Sequence, residues 1–162
     1  MTEASVNKVT NSQKFPSFNL MSAYTDKEMP ITEKSLKGKS FIVYTYPKDL
    51  TSGCTKEANE FSNNYHFFTA NGIAVYGLSK DSINSHLKFI NKEKIPFTLI
   101  SDPDCTLIKA LGCWVKKSMY GKEYMGISRT TFLVNQDLKS IKVWRNIKVK
   151  NHVSNVMEEI SK

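Results

Sequence analysis

Apolar residues along this chain switch between two periods, and the switches mark its elements. Phe41, Ile42, Val43, Tyr44, Thr45 and Tyr46 form an unbroken apolar, β-branched and aromatic run, the pattern of a buried strand. Pro47, Asp49, Ser52 and Gly53 interrupt it as a loop. From Cys54 the period becomes helical. Ala58, Phe61, Tyr65 and Phe68 fall on one face, and Asn71 with Gly72 supplies the stop. The stretch therefore predicts strand, short polar loop and helix, with Cys54 in or near the first helical turn.

The rest of the chain reads in the same way. FPSFNLMSA predicts an edge strand, and PITEKSLKGK an extended or turn segment with a helical turn before Gly38. IAVYGLS predicts a buried strand ending at Ser79. Asp81 or Ser82 then caps a helix that places Ile83, Leu87 and Ile90 on one face. After Pro96, FTLIS predicts a short strand, SDPD a turn, and residues 105–111 a short helix closed by Gly112. Residues 114–127, with Gly121 and Gly126, read as a loop. TTFLV and IKVW predict a hairpin around NQDLK, and Val153, Val156, Met157 and Ile160 a final helix. This succession predicts an α/β protein with a central mixed β-sheet flanked by helices. Residues 1–14 read as a flexible N-terminal tail and residues 15–162 as one domain.

Composition changes this picture little. The chain has 162 residues, 40% hydrophobic and 23% charged, which suits one well-cored globular domain. No apolar run approaches the roughly 20 residues of a membrane span, and the polar start lacks the apolar segment of a signal peptide. The net charge of +8 raises the question of nucleic acid. Its lysines are scattered and no nucleic-acid motif accompanies them, so a solvated basic surface is expected and no nucleic-acid partner. Three cysteines, Cys54, Cys105 and Cys113, are too few and too odd for a disulfide framework and fit a reducing, cytoplasmic setting. His66, His86 and His152 have no partner at metal-ligand spacing, so surface or capping roles are expected and no metal.

The chemistry gathers at Cys54. At a helix start, unpaired backbone N–H groups and the positive end of the helix dipole favour a thiolate. Thr51, three residues earlier, offers a hydroxyl that donates or accepts, and Pro47 stiffens the loop, giving Pro47-x-x-x-Thr51-x-x-Cys54. A permanent cation would favour the thiolate further. The chain holds two arginines: Arg129, immediately before an apolar strand, and Arg145, in the basic hairpin strand. Spacing alone leaves both open.

Over roughly residues 15 to 160 the chain closely resembles the peroxiredoxins, in particular the bacterioferritin-comigratory or Q-type branch. The resemblance is carried by YPKDLTSGCTKEANEF, the SDPD turn, MYGKEYMGISRTTFLV and WRNIKVKNH. It implies a thioredoxin-like fold and a thiol-dependent peroxidase that reduces hydrogen peroxide and organic hydroperoxides through a sulfenic acid on Cys54. It makes Arg129 the active-site arginine. Thr51 would orient the peroxide, Pro47 would shield the sulfur, and Glu57 would orient Arg129 or a loop group. Neither a metal nor an organic cofactor is implied. One departure stands out: Asn59 occupies the position, five residues after Cys54, where many members of the branch carry a resolving cysteine. Cys54 is therefore expected to be reduced by an external thiol such as thioredoxin, glutaredoxin or glutathione, or else resolved by Cys105 or Cys113. Of these two, Cys105 is better placed by exposure. A monomer or weak dimer is expected. Two other classes are weighed. A thioredoxin-fold thiol:disulfide oxidoreductase lacks support because no Cys-x-x-Cys is present. A basic binding protein that has lost the chemistry is at odds with intact Pro47, Thr51, Cys54 and Arg129.

Overall fold

The structure, a computed structural model, describes residues 9–162. Its strands are β1 (Asn19–Tyr24), β2 (Lys27–Thr32), β3 (Ser40–Thr45), β4 (Ile73–Ser79), β5 (Thr98–Ser101), β6 (Trp114–Met119), β7 (Lys122–Ile127), β8 (Thr130–Val134) and β9 (Ser140–Trp144). Its helices are α1 (Glu33–Leu36), α2 (Ser52–Asn63), α3 (Tyr65–Ala70), α4 (Ile83–Glu93), α5 (Thr106–Ala110) and α6 (His152–Ile160). Seven strands form one sheet in the order β2-β1-β5-β4-β3-β8-β9, and β6 pairs with β7 alone. β3, β4 and β5 run parallel, while β1 and β8 join them antiparallel. This is the mixed, helix-flanked sheet that the sequence predicts.

β3 lies inside the sheet between β4 and β8, and both of its faces are covered, which explains its continuous apolar run. Its alternation divides the protein into two cores. Phe41 and Val43 pack with Phe15, Phe132, Leu107, Ile108, Cys105 and Cys113, whereas Ile42 and Tyr44 pack with Cys54, Ala58, Phe61, Phe89 and Val156. Tyr44 stacks on Phe61 at a centroid distance of 4.6 Å, adding about 1 kcal/mol to the area both bury. Gly77 on β4 makes this layer possible. A Cβ there would stand 2.7 Å from Leu99 and 3.1 and 3.2 Å from the rings of Tyr46 and Tyr44.

Three expectations are corrected. The strand within FPSFNLMSA is interior, because Lys27–Thr32 adds outside it as the true edge, with Pro30 and charged side chains on that edge. Residues 114–127 are a hairpin rather than a loop. Tyr120 and Gly121 both have positive φ, 52° and 78°, the two-residue turn whose twist suits a hairpin, and exposed strands left no apolar alternation to read. His152 is buried at the start of α6 beneath Trp144 and beside Phe61, and its Nε2 meets Thr131 Oγ1 at 2.8 Å; only His66 of the three histidines is exposed. Of the expected tail, residues 1–8 lie outside the described residues. Residues 9–14 lie along the β8–β9 turn, with Ser12 N donating to Ser140 O at 2.6 Å and Val9 buried.

Candidate active site

The loop 46–51 leaves β3 and delivers the chain to α2, whose first residue is Ser52. Thr51 stands at the N-cap with an extended backbone, yet its side chain caps nothing. Its hydroxyl donates instead to Lys48 O at 2.8 Å. The first helical bond runs from Thr55 N to Thr51 O, so the N–H groups of Ser52, Gly53 and Cys54 have no intrahelical acceptor. Cys54 sits among them with its side chain turned to the core, 1% exposed.

Arg129 decides the arginine question. It enters at the foot of β8, where Nη2 donates to Cys54 Sγ at 3.1 Å and Nη1 to Glu57 Oε1 at 2.8 Å. A guanidinium and a helix N-terminus thus converge on one sulfur, and both favour negative charge on it. Arg145 is occupied elsewhere: it donates to the carbonyls of Leu111 (2.9 Å) and Val9 and lies over Phe132. Glu57 is buried beside Ala58 on α2. Burial lifts its carboxyl to about 7, against the pull of the Arg129 guanidinium, and its Oε2 has no partner among the described residues. Tyr44, from the β3 floor, is also buried, and its hydroxyl has no partner among the described residues. Burial, and then the charges of Glu57 and Cys54, push that hydroxyl well above the usual phenol range.

Pro47, Thr51, Cys54, Glu57 and Arg129 are therefore gathered at one end of β3. Cys105 and Cys113 are not. Both belong to the core on the opposite face of the sheet, are buried, and have thiols raised chiefly by desolvation. Cys105 is buried rather than exposed, the reverse of the reason for which sequence favoured it.

Several residues at the site escaped sequence reading. Gly53 underlies Arg129: a Cβ there would stand 3.0 Å from Nη2. Lys117 on β6 runs its stem over Gly126 and is half-buried. Burial and the Arg129 charge pull its ammonium down, while the Cys54 charge draws it up. Asp49, Asp81 and His86 bring ligand atoms within 4.8 Å of one another. Hydrogen bonds engage all three. Asp49 accepts from Tyr46 (2.6 Å) and Ser85 (2.8 Å), Asp81 from Ser79 (2.7 Å), and His86 spans Asp49 and Ile100 O (2.7 and 3.0 Å). This is a satisfied protein network rather than a metal cradle. His86 is thus core, not surface. Its spacing from Ile83, Leu87 and Ile90 put it on the apolar stripe of α4, the one signal that would have found it.

Residues 12–142 match the AhpC/TSA family. The chain belongs to that family. A relative described as a putative peroxiredoxin bcp from Coxiella burnetii is 43% identical over 145 residues, covering 90% of this chain and 94% of its own. The peroxiredoxin Bcp of Bacillus subtilis is 42% identical over 124 residues, 76% of this chain and 79% of its own. Among solved structures, peroxiredoxin Q of Xanthomonas campestris superposes with a TM-score of 0.84 at 32% identity over 95% of both chains. The fold is accordingly the thioredoxin-like one. The branch is that to which the motifs pointed, and the chain is a thiol-dependent peroxidase.

Proposed function

We propose that this protein reduces hydrogen peroxide and organic hydroperoxides by attack of the Cys54 thiolate, with the oxidised sulfur left as a sulfenic acid. The carrying observation is the Arg129 guanidinium, which bridges Cys54 Sγ and Glu57 Oε1 at a helix N-terminus. Sγ attacks the terminal oxygen of the peroxide, an S–O bond forms and the O–O bond breaks. The leaving alkoxide or hydroxide takes a proton from solvent to become alcohol or water. Sulfur loses two electrons and the peroxide gains them. Arg129 and the free N–H groups of the first helical turn stabilise charge spread over the two oxygens. The Thr51 hydrogen is committed to Lys48 O, so its oxygen serves as acceptor for the peroxide O–H. Pro47 is half-buried at the loop entry, contributes no N–H donor and limits water at the sulfur.

Regeneration by an external thiol, such as thioredoxin, glutaredoxin or glutathione, is the reading that the placement of the other cysteines supports. The sheet separates Cys54 from Cys105 and Cys113. Asn59 is no substitute resolver; its Nδ2 donates to Glu93 Oε1 at 3.2 Å. The incoming thiol forms a mixed disulfide with release of water, and a second thiol frees Cys54. Reading the chain as a monomer or weak dimer, acting without a nucleic-acid partner in the cytoplasm, agrees with the sparse, unpaired cysteines and scattered lysines. Among the described residues no helix is long and apolar enough to cross a membrane. The test is dimedone trapping with intact mass on wild type and Cys54→Ser after one equivalent of peroxide. One trapped sulfenic acid in wild type and none in the variant supports the reading. A Cys54–Cys105 or Cys54–Cys113 peptide pair would replace the external thiol by an internal resolver.

A further inference from the structure

The loop that carries Pro47 and Thr51 is fastened by the side chain between them. Asp49 is 4% exposed, and its two oxygens meet three groups. Oδ1 accepts from Tyr46 OH at 2.6 Å; Oδ2 accepts from Ser85 Oγ at 2.8 Å and faces His86 Nδ1 at 2.7 Å. The Asp49 backbone N–H donates to Asp81 Oδ2 at 2.8 Å, and Ser79 Oγ holds that oxygen in turn at 2.7 Å. His86 is fully buried, with Nε2 lying 3.0 Å from Ile100 O. A carbonyl oxygen only accepts, so Nε2 carries a hydrogen. Tyr46 and Ser85 bring their own hydrogens, so the contact between Nδ1 and Oδ2 holds one further proton between ring and carboxylate. Neither partner can turn away without stranding a buried polar or charged group.

We propose that the Asp49–His86 pair is the positioning device for Thr51, and through it sets the preference of Cys54 for hydroperoxides over other electrophiles. The proposal rests on the peroxidase reading. Thr51 lies two residues beyond Asp49, through Leu50, whose backbone is left-handed at φ +66° and whose side chain is 43% exposed. A left-handed leucine costs about 1 kcal/mol or more and persists only where neighbours hold it. The Thr51 hydroxyl reaches back across this turn to Lys48 O, so the turn as a whole places it. Asp49 is the deep anchor of that turn. Cys54 does not depend on it, because the hydrogen bonds of α2 and Arg129 hold the sulfur. Removing the anchor therefore separates two properties that the intact site joins: a reactive sulfur and an oriented peroxide.

The experiment compares wild type with His86→Leu, Ser85→Ala and Tyr46→Phe. Two rates are read on each folded protein: Cys54 with hydrogen peroxide, and Cys54 with iodoacetamide, whose attack needs no Thr51. Proton NMR follows the low-field ring resonance expected of a hydrogen-bonded His86 Nδ1–H in wild type and its loss in His86→Leu. His86→Leu is expected to lower the peroxide rate by about 10²-fold, as misplacement by about 1 Å does, while leaving alkylation near its wild-type value. Ser85→Ala and Tyr46→Phe are expected to show smaller losses with the same split, and they decide the matter if His86→Leu does not fold. A peroxide rate equal to wild type in the folded variants overturns the proposal, and so does a parallel fall of both rates, which marks general loosening. Wild type that fails to react with peroxide would overturn the peroxidase reading itself, a different outcome from the wild-type-to-variant comparison.

Discussion

Arg129 lies across Gly53. A Cβ on residue 53 would stand 3.0 Å from Nη2, the nitrogen that donates to Cys54 Sγ at 3.1 Å. The glycine therefore serves the guanidinium's approach; its φ is not in the left-handed region, so backbone conformation does not demand it.

Gly53→Ala should accordingly displace Arg129 from the sulfur and leave the fold in place. Alanine is the better helix former at a position in the first turn of α2, so stability should hold or rise by up to about 1 kcal/mol. The peroxide rate constant should fall at least tenfold, read by stopped flow beside thermal unfolding. Full activity with a normal melting curve would show that Arg129 tolerates the extra carbon and that contact with the sulfur is not tightly set.

Arg129→Lys tests the bridge itself. The guanidinium gives one nitrogen to Cys54 and another to Glu57, and an ammonium at the end of a flexible stem cannot hold both in that plane. Loss of an oriented charge donor costs about 10²–10³ in rate. The measurement is the second-order rate constant with hydrogen peroxide. A loss of less than about tenfold would mean that positive charge, rather than the fork geometry, is what the site needs.

How far the sequence made this legible depends on what each residue faces. β3 was readable because it is covered on both sides, and α2 because Ala58 and Phe61 line one face against the sheet, with Phe68 of the following helix α3 in the same core. The β6–β7 hairpin was not. Its strands are largely exposed, so no alternation marks them, and Tyr-Gly takes the place of the usual Asn-Gly turn. Cys54, Thr51 and Pro47 were readable as a local motif. The choice of Arg129 over Arg145 was not readable from spacing and rested on the family resemblance alone, since the contact closes over 75 residues of chain. Antiparallel pairing of β8 with β3, Thr130 opposite Thr45, brings residue 129 to the loop end of β3. The network of Asp49, Asp81 and His86 was hidden for the same reason: it joins the loop, the end of β4 and α4, three segments that only the sheet brings together.

Glu57 makes stability depend on pH. Its carboxyl stands at about 7 in the folded protein against 4.5 ordinarily, because burial outweighs the pull of Arg129. Below 4.5 the group is protonated in both states. As pH rises through the window from 4.5 to 7 the unfolded chain releases its proton first, so the folded state loses stability, on the order of 3 kcal/mol. Glu57→Gln should flatten that slope in urea unfolding at pH 5 and pH 8. An unchanged slope would place the titration on another group.

His152 acts with the opposite sign. Desolvation lowers its imidazole from 6.5 to about 4, and it is held neutral beside Thr131, Phe61 and Trp144. The unfolded chain takes up a proton below 6.5 that the folded protein refuses until about 4. Stability is therefore fully present above 6.5 and is lost as pH falls through that window, on the order of 3 kcal/mol. His152→Gln keeps an acceptor for the Thr131 hydroxyl and should remove this acid-side loss, at some cost in packing at neutral pH. A variant that unfolds over the same acid range as wild type would exclude His152 as the source.

Asn59 bears on the reductive half of the cycle. Cys54 is 1% exposed, so under the proposed cycle an external thiol would reach the Cys54 sulfenic acid only when the start of α2 opens. The bond from Asn59 Nδ2 to Glu93 Oε1 at 3.2 Å fastens α2 to α4 and opposes that opening. Asn59→Ala removes one partly buried hydrogen bond worth about 1 kcal/mol, which corresponds to about fivefold more of the open form. Reduction of oxidised Cys54 by glutathione should quicken by about that factor, while the reaction of reduced Cys54 with peroxide, which uses the closed helix, should not gain. Hydrogen exchange at the amides of residues 55–59 should speed up in parallel. Unchanged reduction with faster exchange would mean that the thiol enters without opening the helix.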